Sequence, residues 1–212
     1  MAAGLGGGSS DAAGVLLGMN IPYNLDLSDN ELMTLGAQLG SDVPFCLTPL
    51  TALALGRGEI ISPLPPCPPF WVVLFKPPYG VSTRDVYGHL SQVSIRVKPD
   101  LPAIIRSIRE MNLEELFQHM GNVLEYSTYD LYPDLQEYAG KIKNLGVERV
   151  MMSGSGPTLA AFMTKEEAAR DLASLWTQTY WEVLIARTLQ PEDLKGRVEE
   201  YERKADVPCQ TG

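Results

Sequence analysis

The chain has 212 residues, of which 45% are hydrophobic and 20% charged, with a net charge of −9. This is ordinary globular composition, long enough for one large domain or two small ones. The acid excess argues against a nonspecific nucleic-acid binder, and no apolar run reaches the roughly 18 residues of a membrane span, so a soluble, cytoplasmic protein with neither nucleic-acid nor membrane partners is expected. Cys46, Cys67 and Cys209 are odd in number and widely spread, which speaks against a disulfide framework and a zinc site. His89 and His119, the two histidines, read as surface or helix-packing residues rather than metal ligands.

The first element follows a glycine run, Gly4-Leu5-Gly6-Gly7-Gly8, and reads as a helix from Ser9 to Asn20. Ser9 or Ser10 is suited to cap it, and Ala12, Val15, Leu16 and Met19 form one apolar face. Ser28 through Glu31 is a capping-box pattern that opens a helix ended by Gly40. The loop Gly40-Ser41-Asp42-Val43-Pro44 follows, then the apolar Phe45-Cys46-Leu47, a strand over Thr51–Leu55 and the turn Gly56-Arg57-Gly58. The prolines between 63 and 69 exclude helix and central strand and mark a stiff linker.

Beyond the linker, Phe70–Phe75 reads as a buried strand, and Ser82 caps a helix carrying Val86, Tyr87 and Leu90. Helices are expected over Leu101–Met111, Leu113–Glu125 and Leu135–Leu145, the last with Pro133 in its first turn. Arg149–Met152 and Thr158–Met163 are strands joined by Ser153-Gly154-Ser155-Gly156-Pro157, followed by a helix over Lys165–Thr177 and a strand over Trp181–Arg187. Strand, helices, strand, strand, helix, strand is the split βαβ, ferredoxin-like order. The expected division is 1–62, a linker 63–69, 70–189, and a polar tail 190–212 in which Leu194–Lys204 is a helical stretch without a core.

Chemistry concentrates in a few places. Successive glycines let backbone amides crowd around an anion, and a helix N-terminus behind them adds the positive end of a dipole. The opening loop therefore suits nucleotide phosphates, although glycine runs also serve as plain turns. It is neither a Walker A sequence nor the dinucleotide G-x-G-x-x-G, because no Gly-Lys-Ser/Thr follows and Ser9 stands at the third glycine position. Asp42 is either a turn residue bonding its own backbone or a carboxylate that accepts or orients a substrate hydroxyl proton. The Ser153–Gly156 segment is either a simple hairpin turn or a close approach to phosphate or to the first glycine loop. Tyr87 is either a core residue or a platform for base stacking, and Thr83 is open to the plain reading of a capping-box neighbour.

These elements resemble the GHMP kinase superfamily, whose phosphate loop reads Pro-x-x-x-Gly-Leu-Gly-x-Ser-Ser. Ala2 through Ala13, Leu39 through Phe45, Gly56 through Glu59, Lys76 through Thr83, Asn122 through Glu125 and Met152 through Thr158 are similar, in order, to the superfamily branch acting on a cytidine-diphosphate-linked methylerythritol. The resemblance implies an α+β, two-domain GHMP kinase fold. Its N-terminal domain, like domain 2 of ribosomal protein S5, is incomplete, and its C-terminal domain is ferredoxin-like. It also implies ATP-dependent phosphorylation of the 2-hydroxyl of that small-molecule substrate, in non-mevalonate isoprenoid biosynthesis, by a monomer or homodimer.

By motif match, Met1, Ala2, Ala3, Gly4, Leu5, Gly6, Gly7, Gly8, Ser9 and Ser10 would hold the ATP phosphates, with Ser10 contacting Mg2+. Asp42 would be the catalytic carboxylate, Tyr87 the aromatic stacking on cytosine, and Thr83 a neighbour of the same substrate. The family pattern also places a Lys-bearing strand ahead of the phosphate loop, and this sequence starts at a Met within that loop. The expectation is a truncated kinase, weakly active or inactive by itself, with an apolar face of its first domain uncovered.

Overall fold

A computed structural model describes residues 3–48, 51–176 and 180–193. The chain divides into two compact units, one gathering residues 3–5 with 68–188 and the other residues 6–67 with the segment from Leu189. Met1, Ala2 and the helical stretch read at Leu194–Lys204 lie outside the described residues.

In the smaller unit, α1 (Gly7–Asn20), α2 (Asp29–Leu39) and α3 (Val43–Cys46) precede a hairpin of β1 (Ala52–Leu55) and β2 (Ile60–Pro63). Asn20 closes the α1–α2 connection, donating to the Leu27 carbonyl and accepting from the Leu27 amide at 3.0 Å each. The capping box at α2 forms as read: the Ser28 hydroxyl accepts from the Glu31 amide, and the Glu31 carboxylate accepts from the Ser28 amide at 2.9 Å. Gly36 lets α3 lie close against α2, since a Cβ there would sit 3.0 Å from a Val43 methyl. Phe45 and Cys46, read only as an apolar segment, belong to the single turn of α3.

Four expectations change in this unit. The α1 cap is Gly6, in left-handed conformation, rather than Ser9 or Ser10, and no side chain caps the helix. Of the expected face of α1, Ala12 and Leu16 are half-buried beside the buried Ala13, whereas Val15 and Met19 stand exposed, because α2 and α3 cover a face rotated from the one the spacing suggested. Pro63 ends strand β2, paired opposite Ala52, instead of opening a linker; a two-stranded hairpin has only edges, where proline is tolerated. The expected tail also starts inside structure, as Gln190 is buried and donates to the Cys67 carbonyl at 3.2 Å.

The larger unit carries β3 (Trp71–Lys76), α4 (Thr83–His89), α5 (Leu101–Arg109), α6 (Leu113–His119), α7 (Leu124–Leu131), α8 (Pro133–Lys143), β4 (Arg149–Met152), β5 (Leu159–Met163), α9 (Glu166–Leu175) and β6 (Glu182–Arg187). Its strands lie antiparallel in the order β4-β5-β3-β6, with Val73 opposite Ala161 on one side and Ile185 on the other. This is the ferredoxin-like arrangement that the element order predicts. Val73, Phe75, Ala161 and Met163 pack with Leu135, Ile142, Ala169 and Leu172 from the helices. Phe70, Phe117 and Phe162 form a second cluster, with ring centroids 5.5–5.8 Å apart.

The helix expected over Leu113–Glu125 is two helices. Met120 takes an extended conformation and ends α6 at His119, and α7 starts at Leu124. Gly121 and Asn122 favour a break locally, but the decisive factor is distant: the Asn122 side chain is committed to the β4–β5 turn.

Candidate active site

The β4–β5 turn is closed by the Ser153 amide donating to the Thr158 carbonyl at 2.8 Å and the Gly156 amide donating to the Ser153 carbonyl at 2.9 Å. Gly154 and Gly156 have φ of +57° and +89°, a region suited to glycine. Gly4 approaches this turn within the same unit. The Ser153 hydroxyl donates to the Gly4 carbonyl at 2.7 Å, and a Cβ on Gly4 would fall 2.2 Å from the Ser153 carbonyl oxygen. Of the readings open for Ser153–Gly156, the geometry selects the close approach to the first glycine loop.

Residues without an assigned role in the sequence support that turn. Asn122 Nδ2 donates to the Met152 and Gly154 carbonyls at 2.9 and 2.7 Å, and Glu125 Oε1 accepts from the Met152 amide at 2.7 Å. Burial pushes the Glu125 carboxyl above its ordinary range, partly offset by that amide and by the positive Arg149. The Asn-x-Leu-Glu spacing was the available signal, but local pattern does not reveal partners about 30 residues away.

Thr83 and Tyr87 are one turn apart on α4, whose cap is Ser82, accepting from the Asp85 amide. The Thr83 and Ser155 hydroxyls are hydrogen-bonded at 2.8 Å. Tyr87 is 60% exposed, whereas its neighbour Val86 is fully buried, so Tyr87 is not a core residue.

The smaller unit holds the rest of the glycine run and Asp42. Gly6 (φ +65°) turns the chain into α1, and the first backbone bond of the helix runs from the Ser10 amide to the Gly6 carbonyl at 2.9 Å. The amides of Gly7, Gly8 and Ser9 therefore precede the helical ladder, with no side chain capping them. Cβ atoms built on Gly6, Gly7 and Gly8 would meet nothing within 4 Å, so the loop's surface is open to a ligand. Ser10 is exposed within the same turn.

Asp42 stands exposed at the start of α3, which packs against α1, and its side chain makes no capping bond. The reading of Asp42 as a self-bonding turn residue therefore finds no support. Gly58 (φ +115°) brings the β1–β2 turn alongside: a Cβ there would lie 3.2 Å from the Ser41 carbonyl oxygen and 3.6 Å from Asp42 Oδ1. Burial, then the Asp42 charge, raises the Cys46 thiol above its ordinary value.

Among the described residues no cluster of three or more His, Cys, Asp or Glu could hold a metal ion by itself. His89 pairs with Asp130 at 2.6 Å and His119 with Glu115 at 3.2 Å.

Comparison with known proteins agrees with this layout. Residues 1–49 match the model of the GHMP kinases N terminal domain and residues 102–180 that of the GHMP kinases C terminal. The 4-diphosphocytidyl-2-C-methyl-D-erythritol kinase of Pelotomaculum thermopropionicum is 42% identical over 191 residues, 90% of this chain and 67% of that protein. Its counterpart in Geobacillus kaustophilus is 48% identical over 159 residues, 75% of this chain and 54% of that protein. A crystal structure of 4-(cytidine 5'-diphospho)-2C-methyl-D-erythritol kinase superposes with a TM-score of 0.72 at 34% identity, covering 88% of this chain and 66% of the other. Homoserine kinase from Cytophaga hutchinsonii, at 15% identity, covers 89% of this chain and 66% of its own with a TM-score of 0.71, a likeness of fold alone. The chain thus spans between 54% and 67% of the length of these curated relatives. It belongs to the GHMP kinases, in the family of the 4-diphosphocytidyl-2-C-methyl-D-erythritol kinases.

Proposed function

We propose that the protein transfers the γ-phosphoryl group of ATP to the 2-hydroxyl of 4-diphosphocytidyl-2-C-methyl-D-erythritol, as a cytoplasmic enzyme of the non-mevalonate isoprenoid route. The observation that carries this reading is the opening of α1: exposed glycines, a left-handed cap, and first-turn amides that no side chain among the described residues caps. Such a helix start attracts phosphate through its amides and its dipole. Gly6 to Ser10 take the ATP phosphates in this reading, as do the preceding Met1 to Leu5 by motif match. The Ser10 hydroxyl contributes to Mg2+, which commonly keeps waters and phosphate oxygens among its ligands and so needs no all-protein cage.

In the reaction the substrate hydroxyl oxygen attacks the γ-phosphorus, the bond to the β-phosphate oxygen breaks, and ADP leaves. Asp42 orients the hydroxyl and accepts its proton. Tyr87 offers its exposed ring to cytosine, with Thr83 beside it on α4.

The test is ADP release by the full-length protein with each of three alcohols. Release with the cytidine-linked methylerythritol is expected, and release only with homoserine or mevalonate refutes the assignment. Absence of release with all of them, while ATP still raises the melting temperature, makes the protein a nucleotide-binding remnant. Tyr87→Ala is expected to raise KM for the cytidine substrate about 5- to 150-fold, since a base–aromatic stack contributes roughly 1–3 kcal/mol, and to leave KM for ATP unchanged. An unchanged KM for the cytidine substrate removes Tyr87 from the site.

A further inference from the structure

Met152 is the last residue of β4, an edge strand of the sheet, and its outer amide and carbonyl have no neighbouring strand among the described residues to pair with. Both are taken by side chains from one short segment: Glu125 Oε1 accepts from the Met152 amide at 2.7 Å, and Asn122 Nδ2 donates to its carbonyl at 2.9 Å. The other Asn122 amide hydrogen goes to the Gly154 carbonyl at 2.7 Å, and Asn122 Oδ1 accepts from the Leu124 amide at 3.0 Å. Both donors and the acceptor of this amide are therefore used, which fixes its orientation. The Thr128 hydroxyl, from α7, donates to the Ser155 carbonyl at 3.3 Å. The carbonyls of Met152, Gly154 and Ser155 are thus held, and Ser153, between the first two, carries the hydroxyl bonded to Gly4.

We propose that Asn122 and Glu125 are positioning residues for the glycine loop, gripping the backbone at Met152 and Gly154 so that Ser153 presents a rigid seat to Gly4. The proposal rests on the reading of the glycine run as the ATP phosphate loop. Simple capping of a sheet edge would require partners for Met152 alone; Asn122 reaches past the strand to Gly154, inside the turn that Gly4 touches. The seat has little tolerance. A Cβ on Gly154 would lie 3.3 Å from the Gly4 carbonyl oxygen, so displacement of the turn is passed directly to the loop.

The experiment compares Asn122→Asp, Glu125→Ala, Glu125→Gln and Ser153→Ala in the full-length protein, by steady-state kinetics with each substrate varied and by thermal melting. Asn122→Asp places carboxylate oxygens against two carbonyls, and loss of both hydrogen bonds is expected to raise KM for ATP on the order of tenfold. KM for the alcohol substrate stays within about twofold, because its contacts are not altered. Glu125→Ala is expected to behave likewise, and Glu125→Gln to restore KM for ATP, since the glutamine oxygen still accepts from the Met152 amide. Ser153→Ala cuts only the bond to Gly4 and raises KM for ATP even if the Asn122 variant fails to fold. Melting temperatures that fall while KM for ATP stays constant reduce the pair to edge caps and overturn the proposal, as does an equal rise in both KM values. A wild-type protein that shows no saturation with ATP overturns the phosphate-loop reading itself.

Discussion

Replacing Gly4 with alanine is expected to lower kcat/KM for ATP by about 100-fold or more, since a displacement of about 1 Å in a positioned group costs that much. The cause is local and steric. The new methyl would sit 2.2 Å from the Ser153 carbonyl oxygen and 2.9 Å from that of Gly156, and both are backbone atoms that cannot rotate away. The residue is also held at φ +72°, where a side chain adds roughly 1–3 kcal/mol of strain. The strained loop relieves itself by leaving the turn, which breaks the 2.7 Å bond from the Ser153 hydroxyl. Release of the loop spares the sheet and its core, so the melting temperature is expected to fall by only a few degrees. Gly14→Ala is the matching control: mid-helix and with nothing within 4 Å of the added Cβ, it should stabilise by about 0.5–1 kcal/mol and leave kinetics intact. Wild-type kcat/KM in the Gly4 variant would show that the contact with the turn has no bearing on ATP.

What could be read in advance follows the range of the interaction responsible. The Ser28–Glu31 box and the Ser82 cap are formed between residues three apart, and both were legible. The ferredoxin-like order was legible because strands β3 and β5 are apolar almost throughout and the helices between them are separated by prolines and polar turns. The break between α6 and α7 was not, since its reason is an amide bonded to carbonyls about 30 residues later. Likewise the apolar stripe of Ala12, Val15, Leu16 and Met19 describes a helix correctly, but the neighbours cover only its Ala12 and Leu16 side. The site shows the same division. Glycines at positions 4, 154 and 156 announce backbone that must crowd or turn sharply and left a close approach of the two loops open as a reading, but local pattern does not select it, since the pairing of Gly4 with Ser153 spans 149 residues of sequence. Asp42 could be singled out as a carboxylate between a glycine and a proline, whereas its freedom from capping duty is a fact of geometry.

That freedom makes Asp42→Asn the sharpest test of the chemistry. Replacing a capping aspartate by alanine costs about 1 kcal/mol, which would confound a kinetic effect; asparagine caps as well as aspartate and avoids that cost in any case. Here the side chain bonds no amide of α3 and is exposed, so the substitution is expected to change stability by less than about 0.5 kcal/mol. The isosteric amide also keeps the fit beside Gly58, where a Cβ would lie 3.6 Å from Asp42 Oδ1. What it removes is a proton acceptor and a negative charge. A positioned general base contributes about 100- to 10,000-fold, so kcat is expected to fall within that range while the thermal shift produced by ATP persists. The Cys46 thiol supplies an independent check that the substitution is felt only as a lost charge. With the Asp42 contribution gone, its pKa should move down toward the ordinary thiol value but remain raised by burial, the larger cause, and alkylation rates against pH measure this. A fall in kcat with intact folding, intact ATP binding and a more acidic Cys46 assigns the loss to proton transfer. Full turnover by the asparagine variant would instead leave Asp42 a surface residue and require another acceptor for the hydroxyl proton.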